Sequence, residues 1–208
     1  MKKFLFALFL IIAAGFYIQV FSAVGCDLND PDRDVKRFFP QSTSYKTDYF
    51  SISKLGGDEL LKEVEKRLDD KFQGLYETID VPYTLYTIFK DKEIIGYIHG
   101  INQKGLYGGL QVFLVYDIKG TVKNFYYQKL TSKAAKEFRS ENFSKQFMEI
   151  TLNDFKNYSP KTAQGGSSKV LSIKNPNTDD NVDFQATLRA VKKNLILTDI
   201  FVFSKKIK

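Results

Sequence analysis

The sequence predicts an α+β domain in which an antiparallel sheet meander is flanked by helices. Two observations carry this. Four short runs rich in Tyr, Ile, Phe and Val follow one another between residues 83 and 130, separated only by tight turns, which is the spacing of an antiparallel meander. On either side, around residues 59–72 and from about 183, apolar residues recur at helical period. A sheet this aromatic needs cover on a face, and the flanking helices can supply it.

Taken in order, residues 27–44 are polar, with Pro31, Pro40 and mixed acids and bases. They read as a tether or loosely packed lead-in, so 26–55 is set apart from a single domain over 56–208. Gly56-Gly57-Asp58 breaks the chain and can cap a helix. In 59–72, Leu61, Val64, Leu68 and Phe72 share one face, while Glu63 and Arg67 form an i,i+4 ion pair on the wet side. Strands are expected at 83–89 and 93–100, joined by the turn Lys90-Asp91-Lys92. Gly105, Gly108 and Gly109 precede a third strand at 110–118. Asp117-Ile118-Lys119-Gly120 then has Asp first and Gly last, as a β-turn prefers, and 121–130 is a fourth strand. Phe138, Phe143, Phe147 and Phe155 lie among charges, suggesting turns and a short helix, and 165–168 is a polar loop. The last helix begins near Asp183 with Phe184, Leu188, Val191 and Leu195 on one face; 196–203 reads as strand.

The chain has 208 residues, 19 Phe, 12 Tyr, no Trp and 43% hydrophobic residues, enough for one domain with a real core. Its formal charge of +7 falls to about +5 if Lys2 and Lys3 are removed with a signal, a mild positive balance that suits an anionic membrane surface and is weak evidence for nucleic acid.

The N-terminus predicts export. Lys2 and Lys3 precede an uncharged apolar run over 4–24, and small residues follow before Cys26, the layout of a signal peptide over 1–25. The run is also long enough for an uncleaved membrane anchor. Ala23-Val24-Gly25-Cys26 resembles the lipobox of bacterial lipoproteins, which implies cleavage before Cys26 and its lipidation. Cys26 is the only cysteine, so no intrachain disulfide or thiolate metal cluster exists. Asp27 follows it, resembling the enterobacterial signal for inner-membrane retention. The expected location is thus the cell envelope, on the extracytoplasmic face, with membrane lipid as the first partner.

Common active sites are excluded. His99 is the only histidine, which rules out a His-pair metal site, and no metal centre is expected. His99 lies on a predicted strand beside glycines and reads as a partly exposed sheet residue. No Ser sits in a G-x-S-x-G elbow, there is no G-x-G-x-x-G or G-x-x-x-x-G-K, and no carboxylate pair stands out within apolar runs. No catalytic residue is assigned.

The order Gly96-Tyr97 strand, Gly105-to-Gly109 turn, third strand, Asp117-to-Gly120 turn and fourth strand resembles the FMN-binding domain family. That family includes the flavin-carrying extracytoplasmic subunits of the sodium-pumping NADH:quinone reductase and of the related ferredoxin-oxidising complex. The resemblance covers roughly residues 80–203. It places Thr131-Ser132-Lys133 at the family's Thr-Pro-Gly loop, Phe143-Ser144-Lys145-Gln146-Phe147 at its Phe-x-x-Gln-Phe segment, and Phe184-Gln185-Ala186-Thr187 at its Ser-Gly-Ala-Thr attachment motif. It implies an FMN-binding-domain-like fold, electron relay within an envelope redox complex, and flavin contacts from Gly108, Gly109, Thr131, Ala186 and Thr187. In the family the last threonine can carry FMN through a phosphoester. Here Gln185 stands where a glycine lets the ligand approach, Phe184 replaces a hydroxyl residue, and Asp179, Asp180 and Asp183 crowd the helix end. These departures predict reversible rather than covalent flavin binding, with a cofactor-free binding or structural subunit as the rival reading.

Overall fold

The computed structural model describes residues 25–204. Five antiparallel strands form one sheet in sequence order: β1 Ser44–Phe50, β2 Tyr83–Lys90, β3 Glu93–Lys104, β4 Gly109–Tyr116 and β5 Val122–Leu130. The four expected strands are therefore present, and the α+β meander is the observed fold. The turns behave as their residues dictate. Asp117 Oδ1 accepts from the Lys119 and Thr121 amides, and the Gly120 amide closes the turn on the Asp117 carbonyl.

Alternation along β4 sorts the core into two layers. Val112, Leu114 and Tyr116 face the larger core, while Phe113 and Val115 face a smaller one. The larger core is covered by the long helix α3 Asn181–Thr198, through Leu188, Val191 and Leu195, and by α2 Gly57–Leu68, through Val64 and Leu68 (α1 is described below). The Glu63–Arg67 pair forms at 3.8 Å, and Arg67 also reaches Asp199 at 2.6 Å, joining α2 to the end of α3. Between β5 and α3 lie short helical turns that bury Phe138, Phe143, Phe147 and Phe155 as an aromatic wedge. Phe125 stacks on Phe147 with ring centroids 4.2 Å apart.

Three expectations are corrected. The segment 26–55 is not a loose tether. It holds helix α1 Pro31–Phe38, started by the Asp30 side chain and Pro31, and edge strand β1, paired along β2. Together with Cys26, Leu28, Val35 and Phe39 it covers the second face of the sheet. Residues 196–203 do not form a strand: α3 runs on to Thr198 and ends in a π-helical turn, Asp199–Phe203. His99 is not partly exposed but fully buried under α3. Its Nδ1 lies 2.8 Å from Thr198 Oγ1, and burial lowers its pKa to about 4, so the ring is neutral at physiological pH.

Among the described residues no helix is long and apolar enough to cross a membrane, and no cluster of His, Cys, Asp or Glu is placed to hold a metal ion. Of the signal peptide expected over 1–25, residues 1–24 lie outside the described residues.

Candidate functional site

The five residues singled out for flavin contact all lie at one end of the sheet, where the β3–β4 hairpin meets the start of α3. The structure does not bring them into one surface. Gly108 packs against Thr131, whose side chain would stand 3.0 Å from a Cβ at that glycine, and Gly109 faces the Tyr76 hydroxyl. Ala186 lines a cavity one residue from Thr187, but Thr187 itself is completely buried.

The threonine hydroxyl is fully engaged. Its Oγ1 donates to the Asp183 carbonyl at 2.7 Å and lies 2.6 Å from the Tyr127 hydroxyl, which therefore donates to it. Both its hydrogen and an acceptor lone pair are used inside the core, and an attacking or phosphorylated oxygen has no route there.

The helix N-terminus is also taken. A helix start attracts anions because its first amides lack partners. Here Asp180 Oδ1 accepts from the Asp183 amide at 3.1 Å, and Asp180 Oδ2 accepts from Ser132 Oγ at 2.9 Å. Asp183, itself wholly buried, accepts the Leu106 amide at 2.7 Å and thereby ties the hairpin to the helix. Its second oxygen has no hydrogen-bond partner, and burial raises the carboxyl pKa, with nearby Asp180 adding to the shift. Gly105 permits this approach: a Cβ there would lie 2.5 Å from Asp183 Oδ1. The first turn of α3 thus carries its own carboxyl groups where a phosphate would otherwise sit.

Beside this turn lies an open cavity of about 460 Å³, lined by Gly74, Gln103, Lys104, Gly105, Gln185 and Ala186 above a floor of Asp70, Glu77 and Arg189. The floor is an ion-pair network that sequence reasoning missed. Arg189 reaches Asp70 at 2.6 Å, both Glu77 oxygens at 2.6 and 3.0 Å, and Gln103 Oε1 at 2.7 Å. Lys193, fully buried, donates to Glu77 at 2.5 Å and to the Asn102 carbonyl at 2.8 Å. Burial opposes the charge on Glu77, yet Lys193 and Arg189 outweigh it and hold its pKa at about 2. Burial lowers the Lys193 pKa, against the pull of Glu77. The available signal was Arg189, Lys192 and Lys193 among the apolar residues Leu188, Ala190, Val191 and Leu195 of this helix, a spacing that brings cations close to the core. Both acids and both bases are thus paired with one another beneath the cavity.

The meander, the long covering helix and the hairpin bound to its start define the NqrC-like α+β fold. No family model matches the chain, and no curated protein matches it. Among solved structures, NqrC of Shewanella oneidensis superposes with a TM-score of 0.56 at 11% identity, over 90% of this chain and 94% of that one. The likeness is one of fold, and it agrees with the fold the sequence resemblance implied.

Proposed function

We propose that this chain is a membrane-tethered, extracytoplasmic domain of the NqrC fold class that takes a flavin reversibly and relays electrons within a membrane redox complex. The carrying observation is the cavity at the start of α3. Its volume of about 460 Å³ falls within the usual range for small-molecule sites, about 300–1,000 Å³. The Gln185 amide offers a donor and an acceptor to a polar ring edge, and Lys104 at the rim offers a positive charge. A flavin bound there supplies the redox chemistry; the protein holds and orients it. Covalent attachment does not fit, because Thr187 Oγ1 is buried and engaged. For the tether, an uncleaved anchor is favoured over lipidation. Cleavage would remove Gly25, whose carbonyl accepts from Asn102 at 2.9 Å, and acylation would place lipid on a buried sulfur.

The cofactor-free subunit is the rival reading, and it would rest on the two carboxyl groups at the helix end. Titrating the purified chain into FMN and into riboflavin separates them. Since no phosphate site is needed, both flavins are expected to lose fluorescence on binding, and Ala186→Phe, which fills the cavity, to abolish the effect. Flavin fluorescence unchanged by the parent chain would overturn the flavin reading and leave the cofactor-free one.

A further inference from the structure

The point at which the chain enters the described domain is bolted to the sheet. Asn102 donates to the Gly25 carbonyl at 2.9 Å, Thr84 to Asp27 Oδ1 at 2.8 Å, and Gln128 to the Asp27 carbonyl at 2.7 Å. The Leu28 amide donates to the Tyr86 hydroxyl at 3.0 Å. In sequence the apolar run over 4–24 ends immediately before Gly25, so a membrane anchor there would set which end of the sheet faces its membrane.

That end carries exposed apolar side chains. Leu106 and Tyr107, at 51% and 46% exposure, form the tip of the β3–β4 hairpin, and Leu75 and Val182 are about half exposed. The elements that carry them meet at this end. Leu75 precedes Tyr76, whose hydroxyl faces Gly109, and Val182 precedes Asp183, which holds the Leu106 amide. At about 3.3 Å per strand residue, no more than ~13 Å separates Asn102 from Leu106 along the chain. Lys104 and Lys133 are exposed here too, and the Lys133 ammonium stands 5.0 Å from the Tyr107 ring centre. Asp80 and Asp179 offset part of this charge. The opposite end holds the turns around Asp91 and Ile118, where apolar residues stand among mixed charges.

We propose that the rim formed by Leu75, Leu106, Tyr107 and Val182, with Lys104 and Lys133, docks on the lipid surface beside the anchor. The proposal rests on the membrane tethering in the functional reading, and not on flavin. A Tyr and long apolar side chains flanked by lysines suit the headgroup boundary, where rings and aliphatic tips enter and ammonium groups stay wet. Docking there also turns the mouth of the cavity toward the bilayer, since Lys104, Gly105 and Val182 line it.

The absence of tryptophan makes a clean test. Single-tryptophan variants Leu106→Trp, Tyr107→Trp and Ile118→Trp of the full chain are reconstituted into phosphatidylcholine–phosphatidylglycerol vesicles with brominated acyl chains, and flotation is measured in parallel. The expected result is blue-shifted emission at positions 106 and 107 with roughly half the intensity lost to bromine, as for an indole about 5–10 Å into the boundary, while position 118 stays red-shifted and unquenched. A floating chain with unquenched emission at 106 and 107 overturns docking and leaves the tether standing. Blue-shifted but unquenched emission there means contact with protein, another copy included, and also overturns it. A chain that does not float overturns the tether and the docking together.

Discussion

At the scale of single residues, Thr187 shows how one hydroxyl can be chemically right and structurally withdrawn. It follows Ala186 in the helix that the resemblance marks for attachment, yet it serves as the acceptor for the buried Tyr127 hydroxyl. Thr187→Val keeps the shape and removes that acceptor. It is expected to destabilise the fold by about 1–3 kcal/mol, the usual result of stranding a buried polar group, measured as a shift in denaturation midpoint. In a host with an active flavin transferase, the parent chain is expected to show its unmodified intact mass. A parent species heavier by FMN minus water and missing in Thr187→Val would overturn this account. The Tyr127 contact spans 60 residues of sequence, so no local pattern around Ala186-Thr187 could have revealed it.

At the scale of elements, legibility followed periodicity. The meander is readable because its strands alternate between two covered faces and its turns hold Asp and Gly where turns want them. Helix α1 and strand β1 are hard to read because they are polar: α1 buries only Asp34 and Val35, and no residue of β1 is fully buried. Asp30-Pro31 was nevertheless an available helix-start signal, and Lys46 with Asp48 marks a protected sheet edge. The end of α3 was misread because a short apolar run fits a strand or a buried helix equally. Of the candidate site, the sequence showed the crowding of acids at the start of α3 but not the Glu77–Arg189–Lys193 network, whose members come together from distant elements. Glu77→Gln would leave two buried cations with half their compensation and is expected to cost about 3–5 kcal/mol. The pH dependence is a second signature. A carboxyl held at about 2 when folded, against about 4.3 unfolded, adds stability that is fully present above the unfolded value and lost as pH falls toward the folded one. Urea midpoints of the parent should therefore drop between about pH 4.3 and 2, and Glu77→Gln should lack that component. An identical acid limb in both chains would show that the pair is not coupled to folding.

At the scale of the whole molecule, the second face of the sheet is closed by the residues that follow the apolar N-terminal run, and this sets tether and fold in competition over Cys26. The thiol is buried among Leu28, Val35, Phe39 and Tyr86, and burial pushes its pKa up, so it is a poor nucleophile. Lipidation would demand that the sulfur leave this layer, breaking the Gly25 and Asp27 bonds to β2, β3 and β5 and exposing apolar side chains of the smaller core. An uncleaved anchor demands none of this. Full-length protein extracted from membranes is therefore expected to resist a maleimide under native conditions and to take up one label after denaturation, with Lys2 and Lys3 still present in the intact mass. The native protection follows from burial, and the label after denaturation from a free sulfur. Protein that takes no label even when denatured, carries acyl mass and begins at Cys26 would restore the lipoprotein reading, and would mean that the strap across the second face is rebuilt after processing. Rapid labelling of the native chain would instead show that Cys26 lies outside the core and that the domain hangs on a looser tether, in which case the hairpin rim would also lose its fixed height above the bilayer.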